Sequence, residues 1–139
     1  VGARLMARVT GWESSLVAAV AGARDRPFQW GTHDCATWAF DVRLAITGVD
    51  AAAAWRGRYR TENGAARMMR RLGCKTVADL ASSILGEALP TVLFAQRGDI
   101  ALGGVEQALG ICVGSDVLFL QPSGLVALPL RLCLKAWRV

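Results

Sequence analysis

Apolar positions fall into two different periods along the chain, and the change of period divides it. Trp12, Leu16, Ala19 and Val20 recur at helical spacing and Gly22 closes the run, which predicts an amphipathic helix over residues 11–21. Pro27-Phe28-Gln29-Trp30-Gly31 then forces a loop. Trp38, Ala39, Val42 and Ile46 share one face of a second helix over residues 36–46, with Thr32 or Asp34 as its cap and Gly48 as its stop. Asp50 can cap a short turn over 51–56. Thr61 can cap a helix through Met68, Met69 and Leu72 that ends at Gly73. Thr76 with Asp79 resembles a capping box for a helix reaching Leu85.

Beyond Pro90 the period becomes two. Residues 99–102, 107–113, 117–120, 125–128 and 132–139 are short apolar strand candidates separated by Gly, Ser, Asp or Pro. Strands that follow a block of helices argue for an α+β fold, an antiparallel sheet with helices on one side, rather than alternating β-α units. The 139 residues suit a single domain, helical to about residue 86 and sheet-forming from about residue 97.

Composition narrows the possibilities. Hydrophobic residues make up 53% and charged residues 19%, with a mean hydropathy of +0.34, which excludes intrinsic disorder and a coiled coil. The longest uncharged stretch, residues 117–130, is interrupted by Gln121, Pro122, Ser123 and Gly124, so no membrane span is predicted. The opening Val1-Gly2-Ala3-Arg4 lacks the apolar core of a secretory signal, and folding in a bacterial cytoplasm is expected.

The net charge of +5 is concentrated in Arg56, Arg58, Arg60, Arg67, Arg70, Arg71 and Lys75, with Glu62 the one acid among them. Such a run is either a solvated helix face or a patch for an acidic partner, and Arg67, Arg70 and Arg71 are its candidate partner-binding residues. The aromatics are not interleaved with these cations, and no RNA-recognition sequence or Walker loop accompanies them, which argues against nucleic acid. Four cysteines without a CxxC pair and a single histidine do not make a metal site, and no cofactor is expected. Cys74 follows a helix-ending Gly, while Cys112 and Cys133 sit in alternating apolar runs as small core residues.

Cys35 stands apart because it falls on the first turn of the second helix. There unpaired backbone N–H groups and the helix dipole favour a thiolate, although the adjacent Asp34 opposes it. The residue is therefore a candidate nucleophile or a thiol packed at a helix start. His33, two residues earlier, can serve as a base or simply cap the helix. Gln29 can donate to an oxyanion or face water.

The segment Pro27-Phe28-Gln29-Trp30-Gly31 followed by Asp34-Cys35 resembles the Y-x-W-G…D-C-S-G signature of the NlpC-type cell-wall peptidases, papain-like cysteine hydrolases that cut peptidoglycan stem peptides. Arg97-Gly98-Asp99-Ile100-Ala101 is similar to the G-D-L-V strand of that family. Residues 108–114, Ala-Leu-Gly-Ile-Cys-Val-Gly, are similar to its H-V-G-I-Y-x-G strand. The likeness spans roughly residues 12–128. With Trp12 upstream and W-G-x-H-D-C at the helix, it is nearest to phage and prophage members found beside tail-tip genes. It implies a papain-like fold with Cys35 as nucleophile.

The departures fall on the catalytic parts. The family's general base is replaced by Ala108, its Tyr by Phe28, and the Ser after the Cys by Ala36. Its third polar residue is matched by Gln121, provided a one-residue shift of strand register does not put Leu120 toward Cys35 instead. The resemblance thus implies a phage tail hub or tip component that keeps the peptidase fold as an interaction module, with other tail proteins and peptidoglycan as partners and the virion as its destination. Its alternative is an active hydrolase of peptidoglycan stem peptides with Cys35 as nucleophile and His33 or a partner-supplied group as base.

Overall fold

The structure, a computed structural model, describes residues 7–139; the Val1-Gly2-Ala3-Arg4 opening lies outside them. Four helices precede the strands: α1 (Trp12–Asp25), α2 (Cys35–Thr47), α3 (Glu62–Arg71) and α4 (Val77–Leu85). The strands are β1 (Ile100–Gly103), β2 (Ala108–Cys112), β3 (Asp116–Gln121), β4 (Gly124–Pro129) and β5 (Lys135–Trp137). They form one antiparallel sheet in the order β4-β3-β2-β1-β5. This is the α+β arrangement expected from the change of period. No helix among the described residues is long and apolar enough to cross a membrane.

α2 is the central element. Trp38, Ala39, Phe40, Val42 and Ile46 are all buried, because α1 packs against one side of the helix and β2 and β3 against the other. Alternation in the strands sorts the sheet into two faces. Ile100, Leu102, Leu109, Ile111, Leu120 and Trp137 join the helix-side core. Ala101, Cys112, Val117, Phe119 and Ala136 form a second cluster on the reverse, closed by Leu130 and Cys133. Gly110 is required there: a Cβ would lie 2.5 Å from the Leu118 carbonyl oxygen and 2.7 Å from the Phe119 ring.

Helix boundaries follow their caps more than their glycines. α1 does not stop at Gly22; it runs to Asp25 and ends where Arg26, preceding Pro27, turns extended. A solvent-facing Gly within a helix costs only about 1 kcal/mol relative to Ala, too little to end a helix packed on α2. α2 is capped by Asp34 and not Thr32, through a reciprocal box with Thr37, and it stops at Gly48 in the left-handed conformation. Thr61 and the Thr76–Asp79 box cap α3 and α4 as the sequence predicts.

The last strand is shorter than residues 132–139. Pro129 directs Leu130–Leu132 into a 3-10 turn, and pairing with β1 begins only at Lys135. Just before β1, Asp99 anchors distant parts of the chain. Its buried carboxylate accepts from Arg8 Nη2 at 3.0 Å, the Val139 amide at 2.9 Å and the Gln96 amide at 2.8 Å, while Arg138 Nε lies 3.2 Å away without hydrogen-bond alignment.

Candidate functional site

The start of α2 is built by backbone contacts that explain the W-G-x-H-D-C spacing. Gly31 adopts φ +90°, and a Cβ there would fall 2.0 Å from the Tyr59 carbonyl oxygen, so only Gly allows the two segments to meet. Its amide donates to Asp34 Oδ2 at 2.8 Å. Tyr59 donates its hydroxyl to the same oxygen at 2.6 Å, and the Thr37 amide donates to Oδ1 at 2.9 Å. Asp34 is therefore a buried carboxylate held by three neutral donors, with no salt bridge to a cation among the described residues.

Cys35 follows as the first residue of α2, its thiol beside the first residues of β2. Burial and the neighbouring Asp34 charge push the thiol up from an ordinary 9.0 to about 11, although the backbone amides of Leu109, Ala36 and Cys35 favour the thiolate. The helix start supplies donors as the sequence suggests, but desolvation outweighs them. All four cysteines are free thiols, and Cys74, Cys112 and Cys133 are buried in the core.

A cavity of about 450 Å³ opens at this thiol. Phe28, Trp30, Met68, Met69, Leu80 and Leu120 supply much of its apolar lining. α3 turns Glu62, Ala65, Ala66 and Met69 toward it at i, i+3, i+4 and i+7, which leaves Arg67, Arg70 and Arg71 exposed on other faces of the helix. Glu106 and Gln107, in the turn between β1 and β2, complete the rim. Tyr59, Glu62 and Glu106 carry no motif in the sequence and become site residues only through the fold. The compact pairing of Gly31 with Tyr59 is what a search for partners of the W-G dipeptide could have suggested.

The predicted site residues do not all converge. Cys35 and Gln121 border the same cavity, and so does Ala108. Register places Leu120 in the helix-side core, while Gln121, the last residue of β3, reaches the cavity at the end of the sheet. His33 and Gln29 do not join them.

His33 is buried outside the cavity, with neither ring nitrogen hydrogen-bonded, near Ala23, Arg26 and Asp41. Burial, reinforced by the Arg26 charge, lowers its pKa, and the ring is not among the side chains that line the cavity at Cys35. Its backbone is fixed by a bridge to Gln29, with the His33 amide donating to the Gln29 carbonyl at 2.8 Å and the Gln29 amide to the His33 carbonyl at 2.9 Å. Neither is it a cap, since Asp34 fills that place. Gln29 is exposed and does not line the cavity, and its side-chain oxygen accepts from the Thr32 hydroxyl at 3.1 Å.

Among the basic residues, Arg56 is committed internally, donating to Asp41 at 2.6 Å and Asp50 at 2.9 Å. Arg67, Arg70 and Arg71 are exposed and form no salt bridge with described residues. The described residues contain no group of three or more His, Cys, Asp or Glu side chains arranged to hold a metal.

No curated protein matches the chain. A family profile described as a domain of unknown function, DUF6950, matches residues 7–139. The match covers all four helices and all five strands, and the chain belongs to the DUF6950 family.

Proposed function

We propose that this domain is a peptidase-like module that works by binding and not by hydrolysis, as a component of a phage or phage-like tail hub or tip. The observation that carries the first half is the surroundings of Cys35. The one histidine of the chain is not among the residues lining the cavity, and the positions that the resemblance gives to a base and its orienting partner are Ala108 and Gln121. Asp34 is no substitute, because its oxygens are already occupied by Gly31, Thr37 and Tyr59. Loss of a general base ordinarily costs about 10² to 10⁴ in rate. The tail setting rests on the motif resemblance to NlpC-type members beside tail-tip genes, and the exposed Arg67, Arg70 and Arg71 supply a face for an acidic partner protein.

The test is digestion of purified peptidoglycan, with released stem-peptide fragments quantified by mass spectrometry. Neither the wild-type protein nor Cys35→Ser should release fragments. Release by the wild type that Cys35→Ser abolishes would establish the alternative, a cysteine endopeptidase or amidase. In co-expression with tail-tip proteins, reversing Arg67, Arg70 and Arg71 to Glu should reduce co-purification; unchanged recovery would remove this face from the interface.

A further inference from the structure

The cavity beside Cys35 is selective in charge as well as apolar in character. The chain has sixteen Lys and Arg against eleven Asp and Glu, yet the cavity lining contains Asp34, Glu62 and Glu106 and no Lys, Arg or His. α3 alone separates the signs, turning Glu62 in while Arg67, Arg70 and Arg71 point elsewhere. At the floor, the Asp34 charge is buried and held by neutral donors, so its field is not cancelled by an adjacent cation. That field already acts on Cys35, where it disfavours a second negative charge.

The rest of the lining suits an apolar body. Trp30 and Phe28 meet edge to face with centroids 5.0 Å apart, and Met68, Met69 and Leu80 continue the surface. A volume of about 450 Å³ falls within the range of small-ligand pockets. Aromatic rings beside carboxylates attract organic cations and give nothing to anions. Resting on the reading of the domain as a binding module, we infer that this cavity takes an organic cation, an ammonium group on an apolar chain or side chain, and rejects the corresponding anion.

Calorimetry with three probes that share an eight-carbon tail separates charge from apolarity: octylammonium, octanol and octanoate, each below its aggregation threshold at pH 7.5. Octylammonium should bind at least tenfold more tightly than octanol, and octanoate most weakly. The ammonium preference should shrink with added salt and fall severalfold in Glu62→Gln/Glu106→Gln, whose two carboxylates are exposed and can be neutralised without disturbing the core. Met69→Trp, which fills the cavity from α3, should abolish binding of all three. A comparison of Leu-Leu amide with its N-acetylated form distinguishes a peptide amine from a free amphiphile: a loss on acetylation assigns the ammonium to a peptide end, and no binding of either form assigns it to an amphiphile.

Octanoate or octanol binding as well as octylammonium would overturn the inference, as would no binding by any probe or binding that survives Met69→Trp. These outcomes are independent of peptidoglycan digestion. Fragment release would defeat the non-hydrolytic reading while leaving the charge selectivity intact, and loss of ammonium preference without fragment release would defeat only the ligand class.

Discussion

The reactivity of Cys35 can be worked through from its surroundings. With a midpoint of about 11 instead of an ordinary 9.0, the thiolate fraction at pH 7 falls from about 10⁻² to about 10⁻⁴, since each unit is a factor of ten. Alkylation by iodoacetamide at pH 7 should therefore run about a hundredfold slower in the folded protein than in the same chain in denaturant. The rate should keep climbing tenfold per pH unit past pH 9, where an ordinary thiol levels off. Restricted entry to the cavity scales the whole curve but leaves its midpoint in place, so the pH profile isolates the electrostatic effect. Peptide mass spectrometry reads Cys35 separately from Cys74, Cys112 and Cys133.

The same shift is linked to stability. Because folding raises the thiol pKa, its contribution is complete below the unfolded value and is lost as pH rises through the folded one. Between pH 9.0 and about 11, the wild type should lose more stability than Cys35→Ala. An alkylation midpoint below pH 9 would refute the reasoning, because it would mean that the helix start and the Leu109 amide outweigh burial and Asp34.

Other consequences concern the framework. Gly31→Ala should destabilise by about 2 to 5 kcal/mol in urea unfolding, combining left-handed strain with the clash against Tyr59; Gly73→Ala, at φ +79° with open space around it, should show only the strain. Tyr59→Phe removes one of the two donors to Asp34 Oδ2 and should cost about 1 to 3 kcal/mol by the same measurement; an unchanged midpoint would mean that water replaces the hydroxyl. Asp99→Ala leaves Arg8, the Val139 amide and the Gln96 amide without their shared acceptor and should cost about 3 to 5 kcal/mol in thermal unfolding. A loss below about 1 kcal/mol would show that those groups find water without difficulty.

Local signals in the sequence were sufficient for the elements and insufficient for the site. Thr61, Thr76 and Gly48 mark helix ends because capping is decided by a few neighbouring residues, and the alternation of Leu109 and Ile111 reveals the buried face of β2 without knowledge of its neighbours. Gly22 misleads because its helical penalty is small beside the packing of α1 on α2. His33 misleads for the opposite reason: proximity in sequence to Cys35 brings its backbone near, but its ring is buried outside the cavity. Tyr59, Glu62 and Glu106 reach Cys35 across 24 residues or more of chain, a separation at which no local pattern specifies contact. Cys35 and Gln121 were recoverable together only because motif order carries the strand topology with it.

The Asp99 clasp also fixes where two distant parts of the chain meet relative to the cavity. Arg8 and Val139 meet at the start of β1, Arg8 Nε donating to the Val139 carbonyl at 3.0 Å. The turn bearing Glu106 and Gln107 follows the other end of that strand, roughly 15 Å away at about 3.3 Å per residue. Arg8 and Val139 thus share one corner of the described structure, remote from that rim of the cavity. A molecule seated at this corner would leave the Glu106 and Gln107 rim uncovered.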